Sequence, residues 1–351
     1  MHFGVVLPGR GPLARPGVLV KLAEKADGLR YASAFVTDHV VIPTTYNSTY
    51  PYSPTGRTAG DWSQGYLEPL ALMSFLAGAT SRLRLGTSVL VVPYRNPVVT
   101  AKMLATLDVM SGGRVILGAG VGWLREEFEA LSSPPFDERG KVTDEYLRLM
   151  RECWTRDPVD FSGTYYRLAP VSALPKPVQK GGIPIWTGGH TDVALRRAGE
   201  LADGWHPIGY RPPAILAPAE YAQKVAKIYG WARKAGRNPD DITLTFRVPL
   251  ELKAKGAKPD GGDRMPFRGT AAEVIGDIRD YQALGVTHFV FDFTPQDLRG
   301  QLAMMERFVD EVRPAARTGM RAPGLEQAGA AAHGPRVGQA KMPTSRRAGA
   351  R

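Results

Sequence analysis

Cysteine is nearly absent from this sequence of 351 residues, in which Cys153 stands alone. One thiol can form neither an intramolecular disulfide nor a zinc site built from several cysteines. Cys153 lies in the helical pattern EYLRLMRECW, where a cysteine is usually a buried and unreactive apolar side chain. Burial of apolar side chains, which make up 43% of the residues, therefore has to stabilise the fold.

Long apolar runs are lacking as well. No segment approaches the roughly 20 apolar residues that a helix needs to cross a bilayer. The first residues, MHFGVVLPGRGP, have neither the basic start nor the apolar stretch of a secretory signal. We therefore expect a cytoplasmic protein without a membrane partner.

Acidic residues are outnumbered by basic ones, and the formal net charge is +11. Residues 314–351 contain seven Lys or Arg and only Glu326 as an acid, a net +6, which leaves +5 for residues 1–313. The segment is rich in Gly, Ala, Pro and Arg and poor in large apolar residues, so we predict a disordered basic tail. Because the tail lacks interleaved aromatic residues, no specific nucleic-acid binding is expected from it.

Eight short apolar runs alternate with segments of helical periodicity, the order typical of a parallel sheet with crossover helices. The predicted strands are residues 3–7, 34–37, 83–89, 114–119, 183–187, 204–207, 242–250 and 288–293. Eight such units with insertions between them predict an α/β protein, a (β/α)8 TIM barrel over residues 1–313, rather than two doubly wound domains.

Three segments interrupt this alternation. The longest is residues 40–66, which carry five aromatic residues among prolines and glycines, namely Tyr46, Tyr50, Tyr52, Trp62 and Tyr66. The others are a predicted hairpin before the fifth strand and a Gly-rich loop after the seventh. Loops that follow strands line the active face of a barrel, so the first and third are candidate lids. The alternative for the aromatic loop is an Ω-loop packed on its own side chains.

A glycine-rich turn ends the fourth predicted strand. In ILGAGVGWLREEF, the residues Gly118, Gly120 and Gly122 have the spacing G-x-G-x-G, which is not the dinucleotide fingerprint. These glycines either let a flat ring system lie against the strand end or permit tight packing of the strand on the helix.

A second glycine-rich turn follows the fifth predicted strand in PIWTGGHTDVALRRAG. Gly188 and Gly189 precede a helix start, and the free N–H groups of such a turn predict an anion site. Thr191 or Asp192 also caps this helix, and both roles are compatible.

The second strand ends in FVTDH, so Asp38 and His39 stand where barrel enzymes keep their chemistry. A lone histidine is more often structural than catalytic, but this position makes His39 the candidate catalytic residue. Neighbouring strand residues point to opposite sides, so Asp38 need not orient His39. Near the end of the third strand, Thr87 and Ser88 either line the pocket or are satisfied inside the barrel.

Four blocks of the sequence resemble the serial signatures of the luciferase-like monooxygenase superfamily. These blocks are FVTDHV, LRLGTSVLVVPYRNPVVTAKMLATLDVMSGGRVILGAGVGW, FDERGKVTDEYLRLM and IPIWTGGHTDVALRRAGELADGW. The resemblance covers nearly all of residues 1–312. It is strongest to the branch, common in actinobacteria, that binds the deazaflavin coenzyme F-420.

The resemblance implies roles for particular residues. His39 corresponds to the histidine beside the reactive carbon of the deazaflavin, and Asp38 to an acidic neighbour that contacts the cofactor. Ser88 and Val89 correspond to a non-prolyl cis peptide that forms a bulge behind the ring. The remaining implied cofactor-binding residues line the ring, the ribityl chain and the phosphate, and they are Gly120, Val121, Gly122, Trp123, Gly188, Gly189 and His190.

Trp123 departs from the pattern of the sugar-phosphate dehydrogenases in this branch. A glutamate that exchanges a proton stands at the corresponding position in those enzymes, and tryptophan cannot do so. The resemblance therefore does not extend to sugar-phosphate oxidation. A bulky apolar wall instead predicts a small unsaturated or aromatic substrate.

The resemblance implies an F-420-dependent oxidoreductase that transfers hydride between C5 of the deazaflavin and a small organic substrate. The alternative is an FMNH2- and oxygen-dependent monooxygenase, because both kinds of enzyme share the fold and the phosphate site. A basic anion- or nucleic-acid-binding protein without catalysis is the alternative of another class, and the confinement of much of the basic charge to the tail argues against it. Relatives of this kind are often dimers, so a homodimer is a candidate assembly.

Overall fold

The computed structural model describes residues 1–58, 65–258, 264–295 and 297–317. The strands are β1 His2–Val6, β2 Ser33–Val36, β3 Arg84–Thr87, β4 Leu90–Val91, β5 Val115–Gly120, β6 Val159–Ser162, β7 Arg167–Val171, β8 Ile185–Thr187, β9 Gly204–Trp205, β10 Thr243–Leu252, β11 Arg268–Gly269 and β12 His288–Phe293. The helices are α1 Pro16–Gly28, α2 Pro69–Ala79, α3 Pro97–Ser111, α4 Arg125–Ala130, α5 Arg139–Thr155, α6 Asp192–Leu201, α7 Pro218–Lys234, α8 Ala271–Ala283, α9 Leu298–Arg307 and α10 Arg313–Arg317, and a π-helical turn, Phe308–Val312, joins the last two.

Eight of the strands close into a parallel barrel. Their order is β1, β2, β3, β5, β8, β9, β10 and β12, and β12 pairs with β1 again. At least one helix follows each of the eight before the next barrel strand begins. The predicted TIM barrel is therefore confirmed, as is the hairpin before the fifth barrel strand, since β6 and β7 pair antiparallel.

The prediction of one continuous third strand is wrong. The strand is divided into β3 and β4 at Ser88–Val89, whose peptide bond is cis. Between Gly86 and Leu90 lie three residues, but between their partners Ile116 and Ala119 lie only two. One extra residue on one strand is a β-bulge, which re-aims the side chains around it.

Proline and short polar side chains set the helix starts. Pro97 is the first residue of α3, and Asn96 accepts hydrogen bonds from the N–H groups of Val98 and Val99. Thr191 caps α6 by accepting from the N–H of Ala194. These caps anchor the helices directly after the strand ends, where barrel loops carry function.

Side chains fill the inside of the barrel. Phe35, Ile116, Trp186 and Val290 pack together there, and the ring of His206 stacks on Phe35 with the centroids 5.1 Å apart. Burial lowers the pKa of His206 to about 3, so this ring is neutral. Because the interior is packed, a ligand has room only at an end of the barrel.

Some predicted features fall outside the described residues. They include Trp62 of the aromatic loop, part of the Gly-rich loop after the seventh barrel strand, and the tail from residue 318 onward. Helix α10 continues four residues past the predicted barrel end at residue 313. Within the described part of the chain, no helix has the length and apolar character needed to cross a membrane.

Candidate active site at the carboxyl rim of the barrel

The predicted site residues gather at one rim of the barrel. All eight strands are parallel, so their C-terminal ends lie at the same edge. His39 follows β2, the Ser88–Val89 bulge follows β3, and the segment from Gly120 to Trp123 follows β5. Gly188, Gly189 and His190 follow β8 at the same edge.

His39 is held by a glutamate that the sequence did not single out. Its Nδ1 lies 2.7 Å from Oε2 of Glu127 in α4. The carboxylate of Glu127 is fully buried and also accepts hydrogen bonds from the hydroxyl of Tyr94 at 3.0 Å and from the N–H of Val40 at 2.7 Å. The ring of His39 is therefore held through its Nδ1.

The carboxylate of Asp38 binds Arg95 and the N–H of Val91. Both guanidinium nitrogens of Arg95 bind its carboxylate, at 2.7 and 2.8 Å, and the N–H of Val91 adds a bond of 2.8 Å. Burial lowers the pKa of Arg95, but the bonds from Asp38 and a further bond to Glu68 raise it more, and the net shift is upward. The predicted contact of Asp38 with a cofactor is untested, and its carboxylate is fully occupied inside the protein.

The glycines of the rim make room for the bulge. A Cβ added to Gly120 would lie 2.3 Å from Cγ2 of Val89, and one added to Gly188 would lie 3.5 Å from Cγ1 of the same side chain. Gly122 has a φ of +83°, and an added Cβ would lie 2.7 Å from the ring of Phe128. Packing of the strand on the helix, one of the two interpretations of this motif, accounts for Gly122, because Phe128 lies in α4. Gly120 packs on the bulge instead, and a cofactor ring beside these glycines stays a prediction.

The aromatic loop packs against residues of the rim and not only against its own side chains. Tyr46 and Tyr50 contact the ring of Trp123 at centroid distances of 5.9 and 5.0 Å, and Trp123 contacts His39 at 6.2 Å. Tyr52 reaches His190 at 6.2 Å. The loop thus joins the ends of β2, β5 and β8 through ring contacts, and its role as a lid stays a prediction.

A second glutamate of α4 fastens this loop. Glu126 accepts hydrogen bonds from the hydroxyl of Ser48 at 2.7 Å and from the N–H of Asn47 at 2.6 Å. Burial raises the pKa of Glu126, but these bonds together outweigh it and lower the pKa to about 2. The carboxylate therefore holds the loop across the whole range in which the enzyme is expected to work.

The turn after β8 has the features of an anion site. Gly189 has a φ of +97°, a left-handed conformation that glycine adopts without strain. Nε2 of His190 is buried without a hydrogen-bond partner in the described structure. Burial and the charge of Lys224 lower the pKa of His190, so the neutral ring can donate to or accept from a ligand next to the start of α6.

A charged cluster under the loop was not predicted from the sequence. Arg247 of β10 binds Asp292 of β12 at 2.8 and 3.0 Å, and Arg211 binds the same carboxylate at 2.7 Å. Arg247 also donates to the carbonyl oxygen of Ser88 at 2.6 Å. The cluster holds the bulge from below and gives this side of the rim a net positive charge.

The site residues that the sequence did not indicate, such as Glu127 and Arg247, have hydrogen-bond partners that lie far away in the sequence. Glu127 lies in the quoted segment GWLREEF, but its bond spans 88 residues, and the Arg247–Ser88 bond spans 159. The only local signal was a pair of glutamates at the start of a helix, where acidic residues are common for a different reason. Residue order alone does not distinguish the two uses.

Comparison with known proteins agrees with this geometry. The sequence model of the luciferase-like monooxygenase family matches residues 1–258. The chain belongs to the luciferase-like monooxygenase family. Its members are oxidoreductases and monooxygenases, and the chain is one of these enzymes.

Three curated relatives illustrate the range of this family. An uncharacterized protein of Mycobacterium tuberculosis is 32% identical over 257 residues, 73% of this chain and 84% of that protein. The F-420-dependent glucose-6-phosphate dehydrogenase of Mycolicibacterium gilvum is 29% identical over 333 residues, 83% and 92% of the two chains. The FMNH2-dependent dimethylsulfone monooxygenase of Pseudomonas putida is 31% identical over 191 residues, 54% and 52%.

A solved structure gives independent support for the fold. An F-420-dependent secondary alcohol dehydrogenase in complex with an F-420–acetone adduct superposes with a TM-score of 0.71, over 90% of this chain and 99% of that chain. The two sequences are 20% identical, so the likeness establishes the shared barrel alone. Relatives of this chain thus use either F-420 or FMN.

Proposed function

We propose that this protein is an F-420-dependent oxidoreductase that acts on a small, flat organic substrate with an unsaturated or aromatic system. The observation that carries the proposal is the position of His39. It stands at the rim, its Nδ1 is held by Glu127, and its ring faces the rings of Trp123 and Tyr66 at 6.2 and 4.8 Å. One titratable ring among apolar rings suits proton exchange beside a flat reacting group.

The residues of the rim fit a phosphate-bearing deazaflavin. The buried Nε2 of His190 has no partner in the described structure, and it lies beside the start of α6, whose backbone N–H groups attract an anion. The Ser88–Val89 bulge and the Gly188–Gly189 turn would hold the ring and the phosphate. When bound, the coenzyme supplies or accepts the hydride.

The chain itself contributes orientation, exclusion of water and a proton. The loop of Tyr46, Tyr50 and Tyr52 covers the rim and keeps water away from the reacting atoms. Burial, with a smaller contribution from Tyr50, raises the pKa of Tyr52 to about 12, so this phenol stays protonated and acts as a donor. His39 exchanges a proton through Nε2 or stabilises charge on the coenzyme ring.

Titration of the purified protein with F-420 and with FMN, followed by fluorescence, tests the choice of cofactor. We expect saturable binding of F-420 and weak or no binding of FMN. Tight binding of FMN without binding of F-420 would favour the monooxygenase alternative, which the relative from Pseudomonas putida supports.

Turnover tests the role of His39 and the substrate class. Oxidation of reduced F-420 is followed with enones and quinones, and reduction of F-420 is followed with sugar phosphates. We expect turnover with enones or quinones alone, and a loss of roughly 100-fold or more in His39→Ala. His2→Ala, at the opposite end of the barrel, is the control and should match the wild type. Unchanged turnover in His39→Ala would refute the role.

A further inference from the structure

We propose that Glu127 is the positioning residue of this site: its carboxylate holds a proton on Nδ1 of His39 and thereby makes Nε2 the proton acceptor. The inference rests on the proposed function only for its kinetic consequence. The assignment of the tautomer concerns the protein alone.

The hydrogen bonds around Glu127 determine the charge of its carboxyl group. Oε1 accepts from the N–H groups of Val40 and Val41 at 2.7 and 3.2 Å, and Oε2 lies 3.0 Å from the hydroxyl of Tyr94. Burial raises the pKa of Tyr94, so the phenol is protonated and donates. Three donors converge on a fully buried group, and a carboxylate, which only accepts, satisfies all of them.

The fourth neighbour is His39, whose Nδ1 lies 2.7 Å from Oε2. A carboxylate oxygen only accepts hydrogen bonds, so the ring nitrogen beside it has to be the donor. Nδ1 is therefore the protonated nitrogen of the neutral ring, and the lone pair lies on Nε2. The fixed negative charge also stabilises the ring when Nε2 gains a proton, as a carboxylate does in other carboxylate–histidine pairs.

Two other carboxylates at the rim, Asp38 and Glu126, do not hold the ring of His39, because both bind other partners. Asp38 is adjacent to His39, but Arg95 and the N–H of Val91 occupy its carboxylate. Glu126 binds Ser48 and Asn47 instead. The carboxylate of Glu127, by contrast, lies 2.7 Å from Nδ1 of His39.

Glu127→Gln separates positioning from a merely structural role. The amide oxygen of glutamine can still accept from Val40 and Val41, so the start of the loop stays anchored. The amide N–H2 group would face Nδ1, and a donor at this place makes Nδ1 the acceptor and moves the ring proton to Nε2. The variant therefore reverses the tautomer while it preserves the backbone contacts.

Long-range 1H–15N NMR of the histidine rings reads the tautomer without cofactor or substrate. We expect the Nδ1–H form of His39 in the wild type and the Nε2–H form in Glu127→Gln. Glu129→Gln, an exposed change in the same helix, should retain the wild-type tautomer. An Nε2–H tautomer in the wild type overturns the inference, and this measurement does not depend on the folding of any variant.

Kinetics of the F-420 reaction supply the second readout. In Glu127→Gln we expect a fall in kcat of roughly 100-fold, with KM and the Kd of F-420 unchanged within about threefold, because only proton exchange is impaired. Wild-type kcat in this variant would overturn the inference. If the protein binds no F-420, the proposed function fails, whereas the tautomer measurement still decides the role of Glu127.

Discussion

At the scale of single residues, the charges at the rim are paired within the protein. Asp38 has a fully buried carboxylate in a two-bond pair with Arg95, whose side chain is 15% exposed. The sequence indicated Asp38 as a site residue, but it could not indicate Arg95 as its partner 57 positions away. Removal of one partner of such a pair leaves a buried charge without a counter-charge, and this destabilises the fold.

Replacement of Asp38 by asparagine is expected to destabilise the fold strongly. Arg95 would then carry a buried charge with only Glu68 beside it, and loss of one partner of a buried pair costs about 3–5 kcal/mol. Urea unfolding at pH 7 measures the free energy. Asp137→Asn is the control, since its pair with Arg125 is 78% and 44% exposed and should contribute less than about 1 kcal/mol. Equal losses in the two variants would contradict the prediction.

At the scale of elements, the bulge after β3 and the glycine at the end of β5 form one packed unit. The side chain of Val89 fills the space that the missing Cβ of Gly120 leaves. A local sequence motif identifies Gly120 but not its contact with Val89, because the two residues belong to different strands. This is why the sequence left ring binding and packing as equal interpretations.

Gly120→Ala is expected to lower the free energy of unfolding by about 1–3 kcal/mol, because its methyl group would lie 2.3 Å from Cγ2 of Val89. Removal of that atom should relieve the clash, so the double variant with Val89→Ala should show a clearly smaller effect of the glycine change. Gly78→Ala in α2, where an added Cβ meets nothing within 4 Å, should be neutral or stabilising. Thermal and urea unfolding measure the wild type, Gly120→Ala, Val89→Ala, their double variant and Gly78→Ala. Additive losses in the double variant would rule out the contact.

At the scale of the whole molecule, the fold follows from the order of elements and the site does not. The eight strand–helix alternations extend over the whole barrel, so no single residue decides them. Seven of the eight predicted strands are present as single strands, and the third is divided at Ser88–Val89. The C-terminal rim, and with it His39, followed from that count. Glu127, Arg95 and Arg247 did not follow, because closure of the barrel brings them to partners that no local pattern identifies.

The exposed apolar side chains on the outer face of α2 and α3 lead us to expect a homodimer, although Lys102 of α3 is also exposed. Exposed apolar side chains gather there, including Phe75 at 50% and Met110 at 74% exposure, although 23% of all residues are charged. Two copies can bury this face against each other across a two-fold axis. Light scattering after gel filtration at micromolar concentration should give the mass of a dimer.

Phe75→Glu with Met110→Glu should shift the dimer to the monomer, since burial of two charges opposes association. Val193→Glu is the control, because this equally exposed apolar residue lies on α6, outside the proposed face. A wild-type monomer at all concentrations, or a dimer that survives the double change, would show that the face serves another purpose.

The adjacent glutamates of α4 have a consequence for the divergence of substrate range. Glu126 hydrogen-bonds Ser48 of the aromatic loop, and Glu127 hydrogen-bonds the ring of His39. The covering loop and the reacting ring are thus attached to a single turn of helix. If the aromatic loop is exchanged between relatives to change the substrate range, residues 125–130 have to be exchanged together with it. Otherwise the new loop loses its bond to Glu126, and the position of His39 next to Glu127 is disturbed as well.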